Sequence, residues 1–143
     1  MFSIVEAIRQ RAIPEAVALV QKERSLTYQA LFQQCDSLAA TVRQALPSAA
    51  GRPDRLRIGV HFPSSLDYVP LALATLAAGA CFVPIPDELA DEEKRDLATR
   101  TGMDAVLVAE SLATWLPEGS QDSGALEVAG QKVLIKRLPA AVP

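Results

Sequence analysis

The sequence predicts an α/β fold: a mostly parallel sheet flanked by helices on both faces, with β-hairpins at its periphery. Three observations predict it. Short runs rich in apolar residues recur mid-chain at Leu56–Phe62, Cys81–Ile85 and Ala105–Ala109, and such runs belong to core strands of a covered sheet. Helical patterns separate these runs, and a helix between two strands makes a right-handed crossover that leaves them parallel. The apolar half of the composition is mostly Ala, Leu and Val, with only 5% aromatic residues, so helices can lie close to a sheet. A length of 143 residues suits one domain with a real core, and no internal repeat is present.

Phe2 to Arg11 carries Ile4, Val5, Ile8 and then Ala12 at helical spacing, with Ser3 placed to cap the helix and Pro14 to end it. Ala16–Val20 and Leu26–Tyr28 are short runs around a polar turn, Gln21 to Ser25, and predict a β-hairpin. Thr27 is placed as the cap of a second helix bearing Leu31, Cys35, Leu38, Ala39, Val42 and Leu46. Its capping box is incomplete, because Ala30 stands where Glu or Gln would reach back. Pro47 to Pro53 predicts a loop.

After the Leu56–Phe62 strand, Pro63-Ser64-Ser65 breaks the chain, and Ser64 with Asp67 has the spacing of a capping pair. Pro70 removes a backbone donor, so the helix is either irregular in its first turn or begins after Ser65. Cys81–Ile85 is the next strand. Asp91 is placed to cap a third helix, with Glu92 and Glu93 in the electropositive first turn and Arg95 one turn from Asp91. Gly102 stops it before Ala105–Ala109. Ser111 to Leu116 predicts a short helix, Pro117 to Gly124 a loop, and Leu126–Val128 with Lys132–Lys136 a second hairpin around Ala129-Gly130-Gln131. Leu138 to Pro143 reads as a linker cut midway.

Net charge is −3 but unevenly spread: residues 1–57 hold 8 basic and 5 acidic groups, residues 58–127 hold 3 and 12. No basic stripe interleaved with aromatics occurs, which argues against nucleic acid. Cys35 and Cys81 fit no metal or redox spacing and are expected to be reduced and inert, in a cytoplasmic setting. Glu6, Arg9 and Arg11 exclude a signal peptide. Tyr68 to Pro86 lacks charge and approaches the length of a membrane span, but Pro70, Gly79, Pro84 and Pro86 interrupt it, so a helix followed by a buried strand is expected.

Ligands of open parallel sheets gather at the carboxyl ends of strands. Three places qualify: Pro63 to Asp67, Pro84 to Asp87, and Glu110 with Ser111. His61, the only histidine, ends a strand and either faces a crevice or is a hydrogen-bonded or partly exposed strand residue; the second reading is preferred. Ser64 and Ser65 either offer backbone N–H groups to a phosphate or simply cap a helix, again the preferred reading. Asp87, Glu88, Asp91, Glu92 and Glu93 either ligate a metal or form a solvated loop and helix start, and solvation is the simpler account.

Four segments together resemble a known family. Leu26-Thr27-Tyr28-Gln29-Ala30-Leu31, the Arg57–Leu66 strand and turn, Leu76 to Ile85 with its helix-Gly-Ala-strand-Pro order, and Asp91 to Val108 are similar to the front of the acyl-adenylating (AMP-forming) ligases. That superfamily includes acyl-CoA synthetases and carrier-loading adenylation domains. Departures are Ala77 where the family usually has Lys, Phe82 where Tyr is common, and Pro86 where Asp commonly stands, with Asp87 one later. The resemblance implies an N-terminal subdomain over residues 1–137 and a truncated linker over 138–143. It implies a parent enzyme that activates a carboxylic acid with ATP and Mg to an acyl-adenylate and passes it to CoA or a carrier thiol. The family's phosphate loop and catalytic lysine lie downstream of the matched segments. No catalytic, cofactor-binding or metal-binding residue is therefore carried over, and this piece is expected to be structural and inactive alone. Its expected partners are the remainder of the parent ligase, or a second copy through an exposed subdomain interface. The alternative from another class is a free-standing α/β binding module, which would show no large exposed apolar patch.

Overall fold

The computed structural model describes residues 4–46 and 56–139. In chain order the elements are α1 (Ile4–Arg11), β1 (Val17–Gln21), β2 (Arg24–Thr27), α2 (Tyr28–Ala45), β3 (Arg57–His61), α3 (Tyr68–Ala77), β4 (Cys81–Pro84), α4 (Asp91–Thr101), β5 (Ala105–Ala109), a 3-10 turn (Glu110–Trp115), β6 (Gln121–Val128) and β7 (Gln131–Arg137). The cap expected at Ser3, the loop Pro47 to Pro53 and the last residues of the expected linker lie outside the described residues.

The five-stranded main sheet has the order β4-β3-β5-β7-β6, and β1 with β2 forms a separate two-stranded hairpin. β3 pairs in parallel with β4 and with β5. The final hairpin extends the same sheet, because β7 pairs antiparallel with both β5 and β6. The sheet is thus parallel at its start and mixed as a whole.

The strands divide their side chains between two cores. Ala105, Leu107 and Ala109 of β5 join Ile58 and Val60 of β3 in a cluster filled by α2 and α3, including Phe32, Cys35, Leu38, Val42 and Leu71. Val106 and Val108 point the other way, into a cluster with Ile85, Ala98, Met103 and Trp115. All five residues of β5 are buried, which is why this run is continuously apolar. On β3 the second face has little room. A Cβ on Gly59 would run into Met103 Sδ and stand 2.8 Å from Ile85 Cδ1.

Several local expectations hold. Thr27 caps α2, its Oγ1 accepting the Ala30 N–H at 3.2 Å. Gly102 ends α4 in the left-handed conformation at φ 64°, which costs glycine nothing. The uncharged segment Tyr68 to Pro86 is a helix then a strand, and no described helix is long and apolar enough to cross a membrane.

Others are corrected. The helix after Pro63 starts at Tyr68, after Ser65 as one of the two readings of Pro70 expects, but the capping pair expected of Ser64 and Asp67 is not formed, since Asp67 makes no side-chain cap bond. Ala90, not Asp91, precedes α4, and the Glu93 carboxylate accepts the Ala90 N–H at 3.0 Å; the longer Glu side chain reaches back across the turn, as Asp91 does not. Arg95 donates to the Trp115 carbonyl at 3.3 Å instead of pairing with Asp91, which accepts from Thr114 Oγ1 at 3.3 Å. The expected loop ends early: β6 already begins at Gln121. It is an edge strand paired only with β7, so its polar start, Gln121 to Ser123, faces water and carries no apolar signal. Both hairpin turns are tighter than expected, spanning Lys22-Glu23 and Ala129-Gly130, with φ of 54° at Lys22 and 51° at Ala129. The short helix before the loop is a 3-10 turn that begins at Glu110.

Candidate functional site

The carboxyl ends of β3, β4 and β5 converge on His61. Its place as the last residue of β3 puts it on the Gly59 face, toward the cluster that holds Trp115. Both side chains are fully buried. The Trp115 indole Nε1–H donates to His61 Nδ1 at 2.9 Å. An indole nitrogen is only a donor, so Nδ1 is unprotonated and the ring hydrogen sits on Nε2. That hydrogen is directed at Asp87 Oδ1, 3.0 Å away. Lys94 Nζ lies 3.9 Å from the same carboxylate oxygen, on a side chain 7% exposed.

Three strand-end segments are tied together in this way. Asp87 follows β4, Trp115 closes the 3-10 turn after β5, and Lys94 belongs to α4. The hydrogen bond from His61 holds the Asp87 carboxyl below the usual range, with smaller help from the charge of Lys94. Both imidazole nitrogens are occupied by protein groups. The arrangement orients the β4–α4 loop against the sheet and leaves the ring no lone pair for a substrate proton.

Ser64 and Ser65 sit elsewhere. Ser64 is exposed, and the Ser65 carbonyl accepts the Tyr68 N–H at 3.1 Å. The reason is Asp67. Arg24 Nη1 and Nη2 donate to its two carboxylate oxygens at 2.8 and 3.0 Å, and the Asp67 side chain is 7% exposed. Gln21 Oε1 accepts the Leu66 N–H at 2.9 Å. The tip of the β1–β2 hairpin thus clasps the loop after β3. These partners lie 43 and 45 positions apart, so no local spacing announces them. The only readable hint was an acidic residue beside an otherwise apolar helix.

The first turn of α4 carries Asp91, Glu92 and Glu93, which complement the positive end of that helix. Among the described residues no three His, Cys, Asp or Glu side chains are grouped so as to hold a metal ion. Asp87, Glu88, Asp91, Glu92 and Glu93 are instead strung along the loop and first turn. Cys35 is fully buried, and burial pushes its thiol up to about 11; Cys81 is exposed and unpaired.

The exposed large apolar residues gather far from His61 in sequence. Ile4, Ile8, Ile13, Val17 and Val20 are between 37% and 70% exposed. An open cleft of about 650 Å³ runs between α1 and the start of the hairpin, lined by Ala7, Ile8, Arg11, Ala12, Ile13, Ala16 and Tyr28.

Comparison with known proteins gives this geometry its family. A family model described as AMP-binding enzyme matches residues 7–143. The chain is similar to a plipastatin synthase of Bacillus subtilis, 34% identical over 89 residues, and to a linear gramicidin synthase of Brevibacillus parabrevis, 31% identical over 116 residues. These matches take in 62% and 81% of this chain but only 2% and 1% of those relatives. Among solved structures it is similar to the Klebsiella oxytoca NpsA N-terminal subdomain in complex with anthranilyl-AMSN, at TM-score 0.67 and 24% identity, over 81% of this chain and 28% of that one. The Bacillus subtilis O-succinylbenzoate coenzyme A synthetase in complex with AMP gives TM-score 0.60 and 19% identity, over 75% and 26%. The two structures show the fold, which matches part of the N-terminal subdomain of the adenylating ligases. With a family match spanning nearly its whole length, the chain belongs to the AMP-binding enzyme family.

Proposed function

We propose that these residues are the structural front of an acyl-adenylating ligase: they build one wall of its N-terminal subdomain and carry none of its chemistry. The observation that carries this is the family match over residues 7–143. It combines with a strand-end histidine whose two ring nitrogens are already held by Trp115 and Asp87.

In this reading the complete enzyme uses ATP and Mg to activate a carboxylic acid and transfers the acyl group to a thiol. The relatives support that chemistry: one solved neighbour is described as a fused adenylation–PCP di-domain and another as a coenzyme A synthetase with ATP and magnesium ion. The rest of the ligase supplies the phosphate and acid contacts, and the setting is cytoplasmic.

Two assays test the proposal. The 143-residue chain, given ATP, Mg and a panel of carboxylic acids, is expected to release no pyrophosphate above background; robust release overturns the structural role. A chimera in which these residues replace the matched segment of the gramicidin synthase relative is expected to keep acid-dependent ATP–pyrophosphate exchange. A folded chimera without exchange overturns the family role.

A further inference from the structure

We propose that the outward face of α1 and β1, centred on Ile8, Ile13, Val17 and Val20, is the seat of the part of the adenylating fold that these 143 residues do not contain. The proposal rests on the family reading above and adds to it a location.

Four observations carry it. None of the exposed residues Ile4, Ile8, Ile13, Val17 and Val20 joins either core cluster, so the chain's own interior makes no use of them. Their concentration is not an accident of strand alternation. The β1–β2 register shifts between Val17 and Leu19, and the extra residue leaves Val17 and Val20, three positions apart, both exposed while Ala18 and Leu19 are partly buried. A bulge that re-aims side chains in this way is a built feature. The patch is also concave, since Ile8 and Ile13 line the open cleft with Tyr28 at its wall. Exposed Arg11, Glu15, Lys22 and Glu23 edge it with both signs of charge. An apolar centre with a charged rim is the anatomy of an interface.

The occupant follows from the coverage. This chain spans 28% of the NpsA subdomain, so most of that fold comes from residues without a counterpart here, and they must pack against this piece somewhere. On the main sheet, α2 and α3 pack on one face, and α4 with the 3-10 turn packs on the centre of the other. The α1–β1 face is the large apolar surface left open among the described residues.

The test pairs the 143-residue chain with the gramicidin synthase relative's domain from which the matched segment has been removed, the two co-expressed. The wild-type chain is expected to recover the truncated domain in soluble form and to co-elute with it. Ile8→Asp with Val20→Asp is expected to weaken that association by at least about thirtyfold, since each change buries an unpaired charge, while the chain's own melting temperature stays within about 2 °C because neither side chain is in the core. Glu118→Arg, in the loop before β6, is the control and should leave association unchanged. Association that survives the double substitution overturns the proposal. So does failure of the wild-type chain to recover the truncated domain, or a homodimer of the chain that the double substitution dissolves. Pyrophosphate exchange by the complex separates the two readings. Patch-dependent association without exchange removes the activity and keeps the surface; exchange that persists in the double variant does the reverse.

Discussion

The His61 ring links the buried Trp115 indole N–H, which it satisfies as acceptor, to the Asp87 carboxylate, which Lys94 also approaches. His61→Phe keeps the volume and removes both bonds. It should lower stability by about 1–3 kcal/mol, because a buried indole N–H is left without an acceptor, and urea denaturation of the 143-residue chain measures it. Trp115→Phe strands Nδ1 in the same way, and the double variant should cost less than the two single losses together. Gly59 is a harder case, since its missing Cβ is what lets Met103 and Ile85 pass. Gly59→Ala should cost about 1–3 kcal/mol through overpacking, with Met103→Ala restoring part of it in the same denaturation series.

At the scale of elements, two ion pairs hold the N-terminal pieces. Arg24 of β2 clasps Asp67 ahead of α3. Arg9 of α1 donates from Nη1 and Nη2 to Asp36 of α2 at 3.1 and 2.6 Å, and lies 4.7 Å over the Phe32 ring. Removing Arg24 leaves the nearly buried Asp67 carboxylate without its bidentate donor, so Arg24→Ala should lower the melting temperature more than Asp67→Asn does. A double-mutant cycle read by thermal melts gives the coupling. The carboxyls of Asp36 and Asp87 are held below the usual range by hydrogen bonds from Arg9 and His61 respectively. A carboxyl whose folded value is depressed adds stability that is full above its unfolded value and disappears as pH falls through the folded one. The urea midpoint should thus be level near neutrality and drop below about pH 4, and Asp36→Asn with Asp87→Asn should flatten that drop.

How much of this was legible depended on whether a signal was local. β5 declared itself because a strand buried on both faces is apolar throughout, β3 and β4 because their apolar residues stand between clear breaks at Pro63, Gly79 and Pro86, although β4 is a half-exposed edge strand, and α2 and α4 because Thr27 and Gly102 mark ends that backbone geometry demands. The start of α3 was blurred: the residue that spoils its cap, Asp67, is drawn away by Arg24 from another element. β6 was half hidden, since an edge strand is defined by pairing and not by hydrophobicity. The strand-end network was visible only as separate pieces. His61 and Asp87 stood out as titratable residues at strand ends, but Trp115 and Lys94 read as an ordinary aromatic and a helix-surface lysine. Nothing in their spacing showed that they close around one imidazole.

For the whole molecule, strand order has a consequence in time. β5 is apolar along its entire length, and one of its two edges is covered only by β7, which leaves the ribosome 28 residues after Ala109, about 1–6 s later at ordinary synthesis rates. During that interval a bare hydrophobic strand edge is on offer to any neighbouring chain, which is the geometry that nucleates aggregates. A chain stopped after Val128 should therefore collect in the insoluble fraction on expression, whereas one carrying Gln131–Arg137 should not; equal solubility of the two would show that β5 is shielded some other way. The β6–β7 hairpin is thereby expected to act as a solubility device: birth order makes a late strand the guardian of a hydrophobic edge that a crowded cell could misuse.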